Sequence, residues 1–190
     1  FDVVVIGSGP AGQNAAMEAA EHGARVLIVE QEPQVGGACV QYGTIPSKTL
    51  RETALTLTAF QRRSGDVYKI SRDAELSISS LMKRLNEVVH AHQETTRRFL
   101  EQANVERAYG RAAFASPNDI TISNVKGGRS FVTADKIIVA TGSRPRNPPN
   151  VAVDHENILD SDSILSMTYL PRSIIILGGG VIACEYASTF

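Results

Sequence analysis

The chain opens with a strand-like segment followed directly by glycines at a fixed spacing. Asp2 to Ile6 reads Asp-Val-Val-Val-Ile, and its β-branched side chains favour a buried strand. Gly7, Gly9 and Gly12 follow in the order Gly-x-Gly-x-x-Gly, and the alanine-rich stretch after them suits a helix that packs close to a sheet. A second apolar run, Arg25 to Val29, completes the order strand, turn, helix, strand. This order predicts a βαβ unit whose two strands are parallel.

The glycine turn also has the composition of a phosphate-binding site. Gly7 permits a tight turn, Gly9 lets the backbone approach a pyrophosphate, and Gly12 lets helix and strand pack closely. The N-terminus of the helix adds free N–H groups and the positive end of the helix dipole. Glu30 ends the second strand, where an acid can accept hydrogen bonds from a ribose. The alternative is a glycine-rich turn without a ligand, but the complete set of parts favours nucleotide binding.

A second turn of the same kind lies near the other end of the chain. Ile174 to Leu177 is an apolar run that predicts a strand, and Gly178-x-Gly180-x-x-Ala183 follows it. Alanine at the third position is compatible with close packing of the helix. Two such turns predict two dinucleotides, most simply a flavin and a nicotinamide. Only about half of the roughly 30 residues of a βαβ unit are present here, so we expect a truncated chain.

The segment from Cys39 to Lys48 outlines a redox-active cysteine pair in which Thr44 replaces the second cysteine. A dithiol relay needs one sulfur to attack the substrate and another to resolve the mixed disulfide. Because a threonine hydroxyl cannot take the resolving role, the pattern predicts a disulfide reductase scaffold without disulfide chemistry. What remains is electron transfer between bound cofactors. Cys39 itself is either a reactive thiol or, as the stronger interpretation, a packed small hydrophobic residue.

Lys48 and Glu185 each have an ordinary and a functional interpretation. Either could be a solvated helix residue. Beside a flavin, Lys48 could instead bind near the reactive ring nitrogen, and Glu185 could approach from the nicotinamide side and pair with it. The spacing alone leaves these alternatives open.

Between the two glycine turns the sequence predicts long helices followed by short strands. The helices are expected over 39–63 and from about Asp73 to Ala103. The strands are expected over 105–109, 112–114, 120–123, 130–133 and 137–140, the last of them a buried strand that ends at Ala140. The fold class is therefore α/β: a Rossmann-like domain with a parallel sheet, helices and a small antiparallel β element. We expect an FAD-binding domain over 1–150, then over 151–190 a linker and the start of a second, NAD(P)-binding Rossmann-like domain.

Composition excludes several classes of function. The formal net charge is −1 and no like-charge block stands out, so nothing indicates nucleic acid or an acidic lipid surface as a partner. No apolar run reaches the roughly 18 residues that cross a bilayer. The two cysteines fit free thiols in the cytoplasm, and the four histidines lack metal-ligand spacing. Since the chain starts at Phe1 without a methionine, residues are expected upstream.

Taken together, these motifs resemble the flavoprotein family of lipoamide dehydrogenase, glutathione reductase and mercuric reductase, whose members bind two dinucleotides. The matching pieces follow the family's order along the whole chain: Gly7–Gly12, Glu30, Gly36-Gly37-x-Cys39, Ile45-Pro-Ser-Lys48, Gly110-Arg-Ala112, Ala140-Thr-Gly-Ser143 and Gly178–Ala183. Thr44, together with the segment 160–167, is similar to the transhydrogenase branch of that family.

The resemblance implies an FAD-dependent transhydrogenase that moves hydride from NADPH to NAD+. The alternatives are a related flavoprotein with a disulfide, quinone or oxygen acceptor, or a non-catalytic FAD-binding module. The resemblance further implies a homodimer whose partners are nicotinamide dinucleotides. Charge and hydropathy predict no nucleic-acid or membrane partner, and the histidine spacing predicts no metal. Catalytic roles are implied for Lys48, Thr44 and Glu185. Cofactor contacts are implied for Gly7, Gly9, Pro10, Ala11, Gly12, Glu30, Gln31, Gly36, Gly37, Ala38, Cys39, Gly43, Thr44, Lys48, Gly110, Arg111, Ala112, Ala140, Thr141, Gly142, Ser143, Ser161, Gly178, Gly180 and Ala183.

Overall fold

A computed structural model describes residues 1–64 and 78–190 of the chain. Its strands are β1 (Val3–Ile6), β2 (Val26–Glu30), β3 (Glu106–Tyr109), β4 (Arg111–Phe114), β5 (Asp119–Ser123), β6 (Arg129–Thr133) and β7 (Lys136–Val139). Its helices are α1 (Pro10–Glu21), α2 (Gly37–Gln41), α3 (Thr44–Ser64), α4 (Ile78–Gln102) and α5 (Val181–Thr189), with a short 3₁₀ helix at Ser163–Ser166. The chain forms two compact units. The first contains residues 1–41 and 90–144, and the second contains the described residues of 42–89 and 145–190.

The first unit is built on a four-stranded parallel sheet in the order β3-β2-β1-β7. Successive side chains of β1 point to opposite faces, and both faces are covered. Val4 packs with Ile120 of β5 on one face, while Val5 packs with Ala16 of α1 and Leu100 of α4 on the other. Burial on both faces explains why β1 is apolar at every position rather than alternating. The predicted βαβ unit of β1, α1 and β2 is therefore confirmed.

The covering layer over one face is a three-stranded antiparallel sheet in the order β4-β5-β6. Arg111 pairs with Ser123, and Thr121 pairs with Phe131. This sheet is the small antiparallel element that the sequence predicts. The strands at 106–109 and 136–139 belong instead to the parallel sheet, beside β2 and β1.

The prediction that a buried strand leads into Ala140 is wrong. Strand β7 lies at one edge of the parallel sheet, and Val139 is 59% exposed and Ile138 37% exposed. The apolar run Ile137-Ile-Val139 fits a central strand and an edge strand equally well, because periodicity does not report which neighbours a strand has.

The helix expected over 39–63 is divided in two at Tyr42 and Gly43, between α2 and α3. Pro46 lies in the first turn of α3, where a helix does not use the backbone N–H that proline lacks. The predicted start of the next helix at about Asp73 lies outside the described residues. Helix α4 is described from Ile78 to Gln102, close to the predicted end.

The second unit has its own core, in which α3 and α5 pack together with the 3₁₀ helix. Its buried residues are Leu50, Leu85, Ile164, Leu165, Met167 and Tyr186. The predicted strand at 174–177 is wrong for this chain: among the described residues no strand pairs with it. Without a neighbouring strand, its backbone N–H and C=O groups form no inter-strand hydrogen bonds. The side chain of Ile175 is 96% exposed. In the described parts of the chain, no helix has the length and apolar character that a membrane crossing requires.

Candidate dinucleotide-binding site

In the glycine turn between β1 and α1, glycine is required at different positions for different physical reasons. At Gly12 an added Cβ would lie 1.9 Å from the Gly7 carbonyl oxygen, so glycine is required for α1 to pack against the turn. Gly7 has φ +104°, and its Cβ would lie 2.3 Å from the Ala140 carbonyl oxygen. These two positions follow from the fold itself.

Gly9 has no such requirement. Its φ of −68° is open to any residue, and an added Cβ would meet only the Cα of Gly37, at an ordinary 3.9 Å. Glycine at this position leaves open space in front of the backbone. A ligand that approaches the backbone closely gives a reason for that space.

The first turn of α1 offers N–H groups without partners. The helix begins at Pro10, with Gly9 as its N-cap and no side chain that caps it. Within residues 1–64 and 78–190, the amides of Gly9, Ala11 and Gly12 make no hydrogen bond, while the Gln13 amide donates to the Gly9 carbonyl. These free donors lie at the positive end of the helix dipole, an arrangement that suits the oxygens of a pyrophosphate.

Glu30 lies at the end of β2 and is already held by the protein. The amide and the hydroxyl of Ser8 donate to its Oε2 at 2.8 and 2.6 Å, and the amide of Glu32 donates to its Oε1 at 3.0 Å. Each carboxylate oxygen can accept about two hydrogen bonds. Oε1 therefore keeps capacity for one more donor, such as a ribose hydroxyl.

The loop at Gly36 and Gly37 lies against the glycine turn. The Gly36 amide donates to the carbonyl and hydroxyl oxygens of Ser8, at 3.1 and 3.2 Å. Gly37 has φ +60°, and a Cβ there would lie 2.6 Å from the Cα of Gly9. Two backbones thus meet without side chains between them. Ala38 and Cys39 follow in α2, and the Cys39 thiol is free and partly exposed.

A pocket of about 220 Å³ lies beside Glu32 and Gly110. Gly110 has φ +152° and approaches the Ser123 carbonyl too closely for a side chain, and Arg144 reaches Glu32 across 3.4 Å. The volume suits one end of a dinucleotide rather than a whole one, because small-molecule pockets are commonly about 300–1,000 Å³. The lining residues are Gln31, Glu32, Tyr109, Gly110, Arg111, Ser123, Val125 and Arg144.

Sequence analysis identified part of that pocket and missed the rest. Gln31, Gly110 and Arg111 were predicted, and all three line it. Glu32 and Tyr109 are next to the predicted residues Gln31 and Gly110, so their position in the sequence could have identified them as pocket residues. Ser123, Val125 and Arg144 come from separate elements, and no motif marks them. The side chain of Ala112 packs against the core of the first unit, and its predicted cofactor contact stays a prediction.

The segment 140–143 continues β7 past the glycine turn. The Ala140 amide donates to the Ile6 carbonyl at 2.8 Å, and the Ala140 carbonyl is the group that excludes a side chain at Gly7. Gly142 has φ +67°, which turns the chain. Thr141 and Ser143 are exposed.

In the second unit the structure brings Lys48 of α3 and Glu185 of α5 together as a hydrogen-bonded ion pair. The pairing that spacing left open is therefore confirmed. The Glu185 side chain is 16% exposed and that of Lys48 56%. Thr44 is the first residue of α3, and the Gly43 carbonyl accepts the Ser47 amide at 3.0 Å.

The second glycine turn is ordered around the start of α5. Gly178 has φ +121°, and Gly180 is the N-cap of the helix, with Ala183 inside it. The Ser161 carbonyl accepts the hydroxyl of Tyr186 at 3.3 Å, and burial raises the pKa of Tyr186 to about 12. An added Cβ would meet nothing at Gly178 or Gly180, so these glycines are not required by packing in this chain.

Among the described residues, no group of three or more His, Cys, Asp and Glu side chains is placed to hold a metal ion. The two cysteines of the chain, Cys39 and Cys184, are both free.

The whole chain, residues 1–190, matches the model of the family described as pyridine nucleotide-disulphide oxidoreductase. The chain belongs to this family. Membership of the pyridine nucleotide-disulphide oxidoreductases implies FAD and a nicotinamide dinucleotide as cofactors. The open space at Gly9 and the unpartnered amides of α1 fit a dinucleotide in the first unit.

Individual family members resemble the chain over its full length. It is 40% identical to the soluble pyridine nucleotide transhydrogenase of Marinomonas sp. over 191 residues, which is 100% of this chain and 41% of the relative. It is 42% identical over 193 residues to the protein of that name from Mycobacterium tuberculosis, again covering 100% of this chain and 41% of the relative. The chain thus spans about two fifths of the length of these curated relatives.

A solved structure shows the same fold. The HOCl-induced flavoprotein disulfide reductase RclA from Escherichia coli superposes with a TM-score of 0.82 at 28% sequence identity. The alignment covers 100% of this chain and 39% of the reductase chain. The α/β architecture, with its parallel sheet and small antiparallel sheet, is therefore that of a flavoprotein of this family.

Proposed function

We propose that the full-length protein is an FAD-dependent transhydrogenase that moves hydride from NADPH to NAD+. The observation that carries the proposal is the glycine turn at Gly9, with its open space and unpartnered amides beside Glu30. Relatives that are 40% and 42% identical over the whole chain are named soluble pyridine nucleotide transhydrogenase, which supports this activity over others of the family.

In this proposal the first unit binds FAD. The amides of Gly9, Ala11 and Gly12 donate to the pyrophosphate, and Glu30 Oε1 accepts a ribose hydroxyl. The pocket at Gly110 and Arg111 receives the adenine end. FAD, when bound, supplies a two-electron centre that can accept hydride and give it up. The protein supplies position and electrostatics.

The second unit contributes residues that need no sulfur chemistry. Thr44 occupies the place of a resolving cysteine, and its hydroxyl cannot form a disulfide. Lys48 and Glu185 keep the catalytic roles that the family resemblance implies, and their ion pair supports a joint role because it fixes the lysine ammonium. The contacts predicted for Gly43, Ser161, Gly178, Gly180 and Ala183 remain predictions.

The domain division at residue 150, the homodimer and the cytoplasmic location belong to the same proposal. The relatives are named soluble, which agrees with it. Sedimentation of the full-length protein measures the dimer directly, and a concentration-independent monomer would contradict it.

Anaerobic stopped-flow on the full-length protein tests the activity. NADPH is added first and NAD+ second, while the flavin absorbance and NADH are followed. We expect rapid loss of absorbance with NADPH, then recovery with NAD+ and formation of NADH. Loss without recovery would reject transhydrogenation.

Cys39→Ser tests the absence of thiol chemistry. We expect the variant to keep at least about half of the transhydrogenase rate, because no step of the proposal uses the sulfur and serine is close to it in size. Inactivity of a variant that still holds its full content of FAD would show that the thiol takes part.

A disulfide reductase is the second candidate, favoured by the structural match to the flavoprotein disulfide reductase RclA. It would require a redox-active thiol besides Cys39, since Thr44 removes the usual partner. Counting thiols of the full-length protein before and after reduction by NADPH distinguishes the two candidates. Two additional thiols after reduction would favour the reductase.

A further inference from the structure

Ser8, the variable residue between Gly7 and Gly9, is a fully buried polar residue in the glycine turn. It is 0% exposed. A hydroxyl and an amide in such a place are costly unless they are hydrogen-bonded. Both are bonded here, and both donate to the same oxygen, Glu30 Oε2.

The Ser8 hydroxyl also accepts a hydrogen bond. The amide of Gly36 donates to it at 3.2 Å and to the Ser8 carbonyl at 3.1 Å. A chain of hydrogen bonds therefore runs from Gly36 through the Ser8 hydroxyl to Glu30. It joins the glycine turn to the end of β2 and to the loop at Gly36–Gly37, which lie 22 and 28 residues further along the chain.

The two carboxylate oxygens of Glu30 differ in how many hydrogen bonds they already accept. Oε2 receives both donors of Ser8 and is saturated, since a carboxylate oxygen accepts about two hydrogen bonds. Oε1 receives only the Glu32 amide and has one position left. Only Oε1 can therefore meet a ligand donor while the loop contacts remain intact.

We propose that Ser8 is a positioning residue for the dinucleotide. It orients Glu30 so that Oε1 faces the ribose, and it anchors Gly36 so that Gly37 stays against Gly9. The inference rests on the proposed FAD site of the first unit and goes beyond the glycine spacing, which does not specify the residue at this position. Charge-assisted hydrogen bonds such as those to Glu30 are stronger than neutral ones, so their loss has a measurable effect.

Ser8→Ala in the full-length protein removes the hydroxyl and adds no volume. We expect FAD to bind to the apoprotein about 10-fold more weakly, because the oriented carboxylate loses one of its two Ser8 donors. Ser116→Ala is a matched control. Its hydroxyl donates to Asp119 Oδ2 at 2.6 Å and accepts the amides of Asn118 and Asp119, yet it lies in the turn between β4 and β5. We expect its FAD affinity to equal that of the wild type.

Amide hydrogen exchange of the apoprotein gives a readout that needs no cofactor. In Ser8→Ala, exchange of the Gly36 and Glu32 amides should accelerate relative to the wild type, whereas Ser116→Ala should leave both unchanged. A purely structural role would instead lower the melting temperature of Ser8→Ala and leave its FAD affinity equal to that of Ser116→Ala.

Glu30→Gln provides a second variant of nearly the same shape. Whichever way its amide is oriented, its NH₂ group faces a donor, either the Ser8 amide or the Glu32 amide. We therefore expect weaker FAD binding than in Ser8→Ala, together with faster exchange at Gly36.

The outcomes separate the two proposals. If the wild type binds FAD and Ser8→Ala binds it as tightly as Ser116→Ala does, the positioning role of Ser8 is overturned and the proposed function stands. A wild-type protein that binds no FAD would overturn the proposed function and this inference with it.

Discussion

At the scale of single residues, the glycines of the first turn are needed for different reasons. Gly12 allows the helix to contact the turn, whereas Gly9 keeps space open in front of its own backbone. The same substitution at the two positions should therefore affect different properties.

Gly12→Ala should destabilise the fold, whereas Gly9→Ala should weaken the binding of FAD. The Cβ at position 12 would lie 1.9 Å from a carbonyl oxygen of the backbone, and such overpacking typically costs about 1–3 kcal/mol or more. The Cβ at position 9 has room in the protein but would occupy space that the proposed FAD site gives to the ligand. Thermal unfolding and FAD titration of both full-length variants measure this. A loss of stability at position 9 without a loss of affinity would contradict it.

Asp154 offers a prediction for pH. Its carboxylate accepts the amides of Ile158, Glu156 and Asn157, and these bonds lower its pKa from 3.8 to about 2. A pKa lowered by folding gives stability that is present above pH 3.8 and is lost as the pH falls toward 2.

We expect the loop at 154–158 to open as the pH falls through this window, while in Asp154→Asn its opening should not depend on pH there. Melting temperatures of both proteins from pH 5 downward measure the difference. Parallel curves for the two proteins would show that the carboxylate is not the group responsible.

At the scale of elements, the contact between α3 and α5 includes the ion pair of Lys48 and Glu185. Lys48 is more than half exposed, and pairs of this kind contribute only about 0–1 kcal/mol to stability. The second unit is held mainly by its apolar core around Leu50 and Tyr186. The ion pair therefore contributes little to the stability of the second unit.

The catalytic role proposed for Lys48 predicts that Lys48→Met reduces hydride transfer at least about 10-fold, because the variant loses a charge that would stabilise negative charge during the reaction. Its unfolding temperature should remain close to that of the wild type, since the stem of the side chain is retained. Arg51→Met, on the same helix, is the control and should keep the wild-type rate. A wild-type rate in Lys48→Met would remove the lysine from the mechanism.

At the scale of the whole molecule, the second glycine turn has no supporting sheet among the residues that the structure describes. The segment 174–177 has no paired strand among the described residues, and Ile175 and Leu177 are exposed. A glycine turn positions a dinucleotide only when a strand and a helix fix it on both sides. Among the described residues, the second glycine turn is therefore followed by α5 but is not preceded by a paired strand.

The 190-residue chain by itself should not oxidise NADPH, even with FAD added. Absorbance of NADPH over time measures this, with the full-length protein as the positive control. Turnover by the shorter chain would mean that a nicotinamide can bind without a completed second sheet.

Much of this architecture is determined by local sequence. The βαβ unit is indicated by features that each act over a few residues. They are the β-branched run of β1, the spacing of Gly7, Gly9 and Gly12, and the acid Glu30 at the end of β2. Steric limits at glycine and the period of apolar side chains are local properties, so they are readable without a structure. The same holds for Thr44, whose missing sulfur excludes a cysteine pair.

Tertiary structure decided which distant residues meet. Strand β7 lies at an edge of the parallel sheet, and no strand within 1–64 and 78–190 pairs with 174–177. The contacts of Ser123 and Arg144 with one pocket, and the hydrogen bonds that connect Ser8 with Glu30 and Gly36, likewise depend on how separate segments meet. Sequence period is the same for a central and an edge strand, and it does not report partners across the fold. The glycine spacing is therefore readable from the sequence. Only the three-dimensional arrangement decides that Ser8 occupies Oε2 of Glu30 and that Oε1 keeps capacity for another donor.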